Sequence, residues 1–414
     1  MKVLLVYPPI FRTVDLVNTP LPIGMLQVAR LLIDQGHDVA ALNLEIGGAV
    51  RTKSIDRMRQ AYAEADIAAA LADHEAAWRV EMRHRIVGFK PDVVAFSCAT
   101  EQIDAAMILA DDARRIMPGV QIEFGGAHVQ SSDWVRQLSA DALTVDPAMD
   151  LLVGQNPPAS FGAVLTSLGC PFNCSFCGSP KRYGRRLTEY PIQQVRRRIE
   201  DAIAAGATSI HLMDDTITLR KPRAIEIAAL MSDLDLPWRT QTRVDDLGRH
   251  PELAQVFKDA GCTQLTFGVE SGSPRILEMI RKRITPEQVL RAVDIIESAS
   301  LAYTANFMIG FPGETDEDVQ QTLNLIDTMA PSRVLAGSVV PYPHTALNSD
   351  HPQFVEAAQQ WPLYRWSPFD PGFLCDDQGN RIMGPSSAAC RAFFEKVEQV
   401  NDHKATPGTF STVS

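Results

Sequence analysis

Residues 163–178 read Ala163-Val-Leu-Thr-Ser-Leu-Gly169-Cys170-Pro-Phe-Asn-Cys174-Ser-Phe-Cys177-Gly178, a strand-like run that opens into a loop with three cysteines in eight positions. Its Gly and Pro residues let the backbone wrap a bound ion. Three thiolates in so short a loop suit an iron–sulfur cubane, which is held through cysteine sulfur and would here keep one of its four irons free of protein ligands. An open iron is a place for chemistry. A structural zinc site is a second reading, although zinc needs a fourth ligand and usually shows another paired motif. Core cysteines grouped by chance are a third. The remaining cysteines, Cys98, Cys262, Cys375 and Cys390, stand alone. An odd total of seven, three of them crowded together, disfavours a secreted disulfide framework and favours a metal site in a reducing compartment.

Downstream of the loop, strand and helix patterns alternate. Strands are expected at 163–168, 208–213, 237–242, 263–269, 302–309 and 334–340, and helices near 191–205, 221–233, 250–260, 274–281, 286–299 and 315–329. Such an alternation specifies an α/β fold, here an incomplete parallel (β/α)6 barrel over 161–343 whose active face is the carboxyl end of its strands. Upstream, the buried-strand run Lys2–Tyr7 ends at Pro8-Pro9, a helix is expected over Leu21–Gln35, and strands follow at 39–44, 93–97 and 121–124. A helical stretch is expected within 51–88 and another over Thr100–Ile116. This is the pattern of a Rossmann-like parallel sheet over 1–140 with helices on both faces. Its ligand-binding edge would carry Pro8, Pro9, Ser97, Thr100, Gly125 and Gly126. Residues 141–160, rich in Asp, Pro, Gly and Asn, read as a linker. The tail, 344–414, has a helix candidate at 386–400 and is too short for a standalone domain, so it reads as a cap on the barrel.

Thirty-nine basic residues against 50 acidic ones give a net charge of −11, which disfavours a broad phosphate-binding surface and with it a nucleic-acid substrate. The opening apolar run is too short for a secretion signal, and no stretch approaches the length of a membrane span. The expectation is a soluble cytoplasmic protein, with no membrane partner.

The CxxxCxxC loop with Phe176 before its third cysteine resembles the radical S-adenosylmethionine (SAM) superfamily. So do Thr266–Ser273 (Thr-Phe-Gly-Val-Glu-Ser-Gly-Ser) with Ile276-Leu277, and Asn306–Thr315 (Asn-Phe-Met-Ile-Gly-Phe-Pro-Gly-Glu-Thr). Pro8-Pro9, Pro20–Gly24, Gly36–Val39 and Gly125–His128 are similar to the cobalamin-binding domain that precedes the barrel in one branch of that superfamily. The resemblance implies a [4Fe–4S] cluster on Cys170, Cys174 and Cys177. It also implies SAM bound at the open iron and cleaved by one electron, a cobalamin cofactor, and no catalytic side chain beyond cluster and cofactors. It places Phe176, Asp214, Asp215, Arg243, Glu270, Ser271 and Gly310 around SAM. Arg243 would meet the SAM carboxylate, Glu270 and Ser271 the ammonium and ribose, Asp214 and Asp215 the amino group, and Gly310 the adenine. Relatives often carry Gly-Gly-Glu where this chain has Asp214-Asp215, and the Asp-x-His-x-x-Gly segment that supplies a cobalt-ligating histidine is absent. His128 reads as an ordinary loop histidine. The implied activity is a cobalamin-dependent methyltransferase acting on a small metabolite, with flavodoxin or ferredoxin as reductant. The alternative is a radical SAM enzyme with a vacant first domain, performing dehydration, decarboxylation, ring closure or transfer of another SAM fragment.

Overall fold

The computed structural model describes residues 1–9, 22–45, 67–99, 102–126, 145–148, 151, 162–180, 184–204, 206–360 and 384–403. Two compact units part at Pro157/Pro158.

In the first unit β1 (Lys2–Tyr7), β2 (Asp38–Asn43), β3 (Val93–Cys98) and β4 (Gln121–Gly126) form a parallel sheet in the order β2-β1-β3-β4. The apolar runs of β1 and β3 follow from burial on both faces, because successive side chains of a strand point to opposite sides. Val3 and Leu5 join Leu26, Ala29 and Leu32 of α1 (Ile23–Asp34) in one core. Leu4 and Val6 join Trp78, Met82 and Ile86 of α3 (Ala77–Phe89) and Ala106, Leu109 and Ala113 of α4 (Ile103–Ile116) in the other. The helical stretch expected within 51–88 is two helices among the described residues, α2 (Ile67–Ala72) and α3, and α4 begins a few residues later than expected. Chain order reverses between β1 and β3. That is the switch point at which open α/β sheets bind ligands.

In the second unit β5 (Gly162–Val164), β8 (Ile210–Leu212), β9 (Trp238–Thr242), β10 (Cys262–Glu270), β11 (Ala302–Ile309) and β12 (Arg333–Ser338) form a six-stranded parallel sheet in the order β12-β11-β10-β9-β8-β5. Between β5 and β8 the short pair β6 (Ser167–Leu168) and β7 (Thr188–Glu189) runs antiparallel, a feature the apolar pattern over 163–168 does not reveal. Helices α5 (Ile192–Ala204), α6 (Lys221–Leu234), α8 (Glu252–Asp259), α10 (Pro286–Ser298) and α11 (Asp316–Met329) fall where the periodicity puts them. Thr285 and Thr315 start the last two with capping boxes, each accepting from the backbone of Gln288 or Asp318 while that residue's side chain accepts in return. A one-turn helix, α7 (Val244–Arg249), goes beyond the pattern; it turns the chain immediately after β9.

Tyr303 donates from its hydroxyl to the Met329 carbonyl of α11, so the odd residues of β11 face the helices and Thr304, Asn306 and Met308 face the other way. Register places Gly268 opposite Asn306 and Thr266 opposite Thr304 on that same inner face. The described part of the tail holds α12 (Ala346–Asp350), α13 (Pro352–Gln360) and α14 (Ser387–His403), and α14 lies along β12, where Asn401 donates to the Val334 carbonyl and accepts from its amide. It therefore closes the free edge of the sheet, satisfying backbone groups that would otherwise invite pairing. The aromatic group Trp361, Tyr364, Trp366, Phe369 and Phe373 lies outside the described residues.

Candidate active site

The cysteine loop follows β6, and Gly169 makes its first bend with φ +92°; a Cβ there would stand 2.3 Å from the Arg186 carbonyl oxygen. Only glycine fits that approach. Midway through the loop Ser175 donates its amide to the Ile280 carbonyl at 2.9 Å and accepts from the Leu347 amide at 2.7 Å. The loop is thus pinned at its centre while its three thiols stay partly exposed and free of disulfides. Burial pushes Cys170 up to about 11 and raises Cys177 as well, and neighbouring Cys174 and Asp215 add to both shifts. Bare thiolates are therefore disfavoured here, and a bound metal would have to displace the protons. Among the described residues no three His, Cys, Asp or Glu side chains stand close enough to share one metal ion. A cubane suits these thiols better than one zinc ion would, because each thiolate then takes a different iron.

Arg243 ends β9 and is buried against the loop. Its guanidinium lies 3.7 Å from the centre of the Phe172 ring and 4.0 Å from Cys174 Sγ, donates to Asp245 at 2.8 Å and to the Lys282 carbonyl at 2.9 Å. Its pairing with Asp245 is thus a buried ion pair beside the cysteine loop and not a solvent-exposed one. Phe176 stands edge-on to Phe311 at 6.4 Å, and Phe311 follows Gly310 at the end of β11.

Glu270 closes β10 with φ +72°, and its carboxylate folds back over Gly268, where an added Cβ would lie 2.0 Å from Oε1. Lys282 donates to that Oε1 at 2.6 Å; both side chains are about nine-tenths buried. Lys282 had no signal in the pattern of the sequence. Gly310 and Phe311 donate their amides to Glu314 at 2.6 and 3.0 Å, and burial pushes this carboxyl up to about 8. Glu314 is a second residue that the reading passed over, although it lies within the quoted Asn306–Thr315 segment.

Two expected site residues also hold neighbouring segments together. Asp214 is fully buried and accepts from the Thr166 amide at 3.0 Å, the Thr166 hydroxyl at 2.8 Å and the Ser167 hydroxyl, tying the end of β8 to the start of the cysteine-bearing segment. Ser271 is buried in the turn before α9 (Pro274–Met279), where its hydroxyl meets Thr322 of α11 at 3.2 Å and accepts from the Ser273 amide. Both act as local fasteners of the segments around the site. Asp215, by contrast, is exposed and accepts from Ser179 at 2.9 Å, two residues beyond Cys177.

In the first unit Pro8 and Pro9 are buried at the end of β1, Ser97 and Gly125 are half-buried, Gly126 is exposed, and Thr100 and His128 lie outside the described residues. Gln102, fully buried, donates to the Pro8 carbonyl and accepts from the Ala99 amide at 2.8 Å, so it bridges β1 and β3 at the switch point. Gly126 has φ +96°, and a Cβ there would fall 2.4 Å from the Cys98 carbonyl oxygen. Its glycine is demanded by the neighbouring strand. Burial pushes the Cys98 thiol up to about 12, which keeps it inert. The edge offers backbone, proline and amide groups, which fits a large, mostly neutral cofactor laid against strand ends.

Residues 164–326 match the sequence model of the radical SAM superfamily, and residues 12–150 that of the B12 binding domain. The chain belongs to the radical SAM superfamily, in the branch that carries a B12-binding domain ahead of the radical SAM domain. It is an enzyme whose family cofactors are a [4Fe–4S] cluster and SAM, with cobalamin belonging to the first domain. It is similar to the uncharacterized methyltransferase PH0819 of Pyrococcus horikoshii, 29% identical over 84% of this chain and 82% of that one. It is also similar to the anaerobic magnesium-protoporphyrin IX monomethyl ester cyclase of Rubrivivax gelatinosus, 28% identical over 43% of this chain but only 33% of the cyclase. Its fold is like that of TsrM from Kitasatospora setae, solved with tryptophan substrate and a SAM analog, with TM-score 0.64, 16% identity and 96% and 89% of the two chains covered. Among the described residues no helix is long and apolar enough to cross a membrane.

Proposed function

We propose that this radical SAM enzyme is a cobalamin-dependent methyltransferase acting on an unactivated carbon of a small metabolite. The observation that carries the reading is one chain holding both a three-cysteine loop on a parallel barrel and a B12-binding domain with a built switch point. When bound, the cluster supplies an electron and an open iron for SAM cleavage, and cobalamin supplies a carrier for the methyl group.

The chain's own residues would do the holding. Cys170, Cys174 and Cys177 ligate the cluster, and Phe176 and Phe311 exclude water beside it. Arg243 offers a cation at the rim of the loop to the SAM carboxylate, and Glu270 offers an acceptor to its ammonium or ribose. Asp215 adds negative charge near the cationic sulfonium. The amides of Gly310 and Phe311 belong to Glu314, so Gly310 contributes clearance for adenine rather than a hydrogen bond. Pro8, Pro9, Ser97, Thr100, Gly125 and Gly126 would border the corrinoid. A flavodoxin or ferredoxin would deliver the electron, in a cytoplasmic setting. The acidic balance of the chain argues against a nucleic-acid substrate.

The test is anaerobic reconstitution with iron, sulfide and cobalamin, followed by corrinoid and product analysis. About one corrinoid per chain is expected from a single switch-point site, along with 5′-deoxyadenosine and S-adenosylhomocysteine once substrate is supplied. Formation of 5′-deoxyadenosine by a protein that retains no corrinoid would replace this reading with the vacant-domain alternative.

A further inference from the structure

We infer that Lys282 is a positioning residue of the barrel mouth: it holds the Glu270 carboxylate turned inward, ready for the cationic or hydroxylated part of a ligand. The inference rests on the reading of this mouth as the SAM site, and it adds a residue that neither the motifs nor the comparisons assign.

Eight non-glycine residues among those described have positive φ: Lys90, Asp235, Glu270, Arg281, Arg283, Ser300, Ala330 and His344. Five of them end helices, where a left-handed residue is ordinary. Arg281 is one of these five, because its amide reaches the Glu278 carbonyl while the Lys282 amide reaches that of Leu277. Three do not end helices: Glu270, Arg283 and His344, the last in the turn that leads into the helix Ala346–Asp350. Strain outside helix ends persists only where surrounding contacts over-determine it, and it gathers at ligand clamps and active sites. Here one strained residue carries the carboxylate, and another immediately follows its lysine.

The turn at 280–282 also holds three parts of the site together. Ile280 accepts from Ser175 at the centre of the cysteine loop, the Lys282 carbonyl accepts from Arg243, and the Lys282 ammonium donates to Glu270. The same ammonium lies 5.9 Å from the centre of the Phe176 ring. A pair so deeply buried is weak evidence for stability, since desolvation offsets much of its attraction. What it does supply is orientation. Glu270 Oε1 is committed to Lys282, the side chain fills the space over Gly268, and Oε2 is left with its direction fixed before any ligand arrives. Removing the ammonium while keeping the stem would leave the carboxylate free to swing, with the backbone strain still in place.

The experiment uses the full chain with its cluster reconstituted, and titrates SAM against the change it causes in the reduced cluster's electron paramagnetic resonance spectrum. Lys282→Met is expected to keep its iron and melt near the wild type, yet to bind SAM about 10- to 100-fold more weakly, the span of one charge-assisted hydrogen bond. Lys282→Arg should recover most of that loss. A double variant, Glu270→Gln with Lys282→Met, should bind no more weakly than Glu270→Gln alone, because a residue that acts through another has nothing left to position. If Lys282→Met loses its iron, Lys282→Gln carries the same comparison. Wild-type affinity in the uncharged variants, or losses that simply add in the double variant, would overturn the inference. A wild-type cluster indifferent to SAM would instead overturn the reading of the mouth itself, so the two failures are distinguishable.

Discussion

The strand ends of the two units are built from opposite materials. At the barrel mouth the side chains are thiols, a guanidinium, an ammonium and carboxylates, the charged groups held by side-chain or backbone partners at 2.6–2.9 Å. At the edge of the first sheet they are prolines, glycines, a serine and one buried glutamine that bonds only backbone. A small charged ligand must be gripped by a few strong, directed contacts, whereas a large cofactor is held by area and shape with little need for charge. Loss of one group should therefore be severe in the barrel and graded in the first unit.

The largest effect should come from the thiols. Replacing Cys170, Cys174 and Cys177 together by Ala is expected to abolish bound iron and the SAM-dependent spectral change, because the other described cysteines, Cys98, Cys262 and Cys390, are buried. Cys262 and Cys390 are buried in the core, and Cys262→Ala and Cys390→Ala should leave both properties intact. Iron analysis and spectroscopy check the contrast, and iron retained at full level by the triple variant would remove the basis for the comparison.

A middling effect is expected at the first sheet's edge. Gly126→Ala must both occupy a left-handed conformation and push a methyl group against the Cys98 carbonyl, costing about 1–3 kcal/mol from strain alone. Corrinoid retention should fall in step with the stability of the first unit. A bulky residue placed at Gly126 to block a cofactor would mislead for the same reason, since it strikes β3 first. Gln102→Leu is gentler: it breaks the bridge between Pro8 and Ala99 and should lower corrinoid affinity while the unit stays folded. A Gly126→Ala protein with wild-type melting would show that β3 and β4 give way more easily than their register implies.

How much of this was legible depends on what kind of signal each residue leaves. The strands and most helices were readable because apolar periodicity over five or more residues is a repeated signal, and the cysteines because three sulfurs in one loop are rare. Arg243 could be picked out as a charge at a strand end. Lys282 could not, since it lies 12 residues from Glu270, and the left-handed turns around it are made by arginines in place of the glycines that would betray them. The bonds of Asp214 to Thr166 and Ser167 were not legible, because a carboxylate after a strand looks the same whether or not it ties down a neighbouring segment. Gln102 was hidden by its company, as one amide at the start of an ordinary amphipathic helix.

The effect that is smallest near pH 5, and that sharpens the contrast most finely as a slope, concerns Glu314. Burial raises its carboxyl from the usual value to about 8, despite the two amides that donate to it. The unfolded chain then loses this proton near pH 4.5, the ordinary value for a glutamate, while the folded chain keeps it to about pH 8. Between those limits the native state binds more protons than the unfolded one, so stability falls as pH rises, by at most about 1.4 kcal/mol per pH unit from this group. Glu314→Gln removes the ionisation and can still accept from Gly310 and Phe311. Denaturant melts of the two proteins from pH 5 to pH 8 should therefore converge on the acid side and separate on the basic side, with the glutamine variant the more resistant. Melts of the two proteins that stay parallel from pH 5 to pH 8 would mean that the raised carboxyl is not where the structure places it.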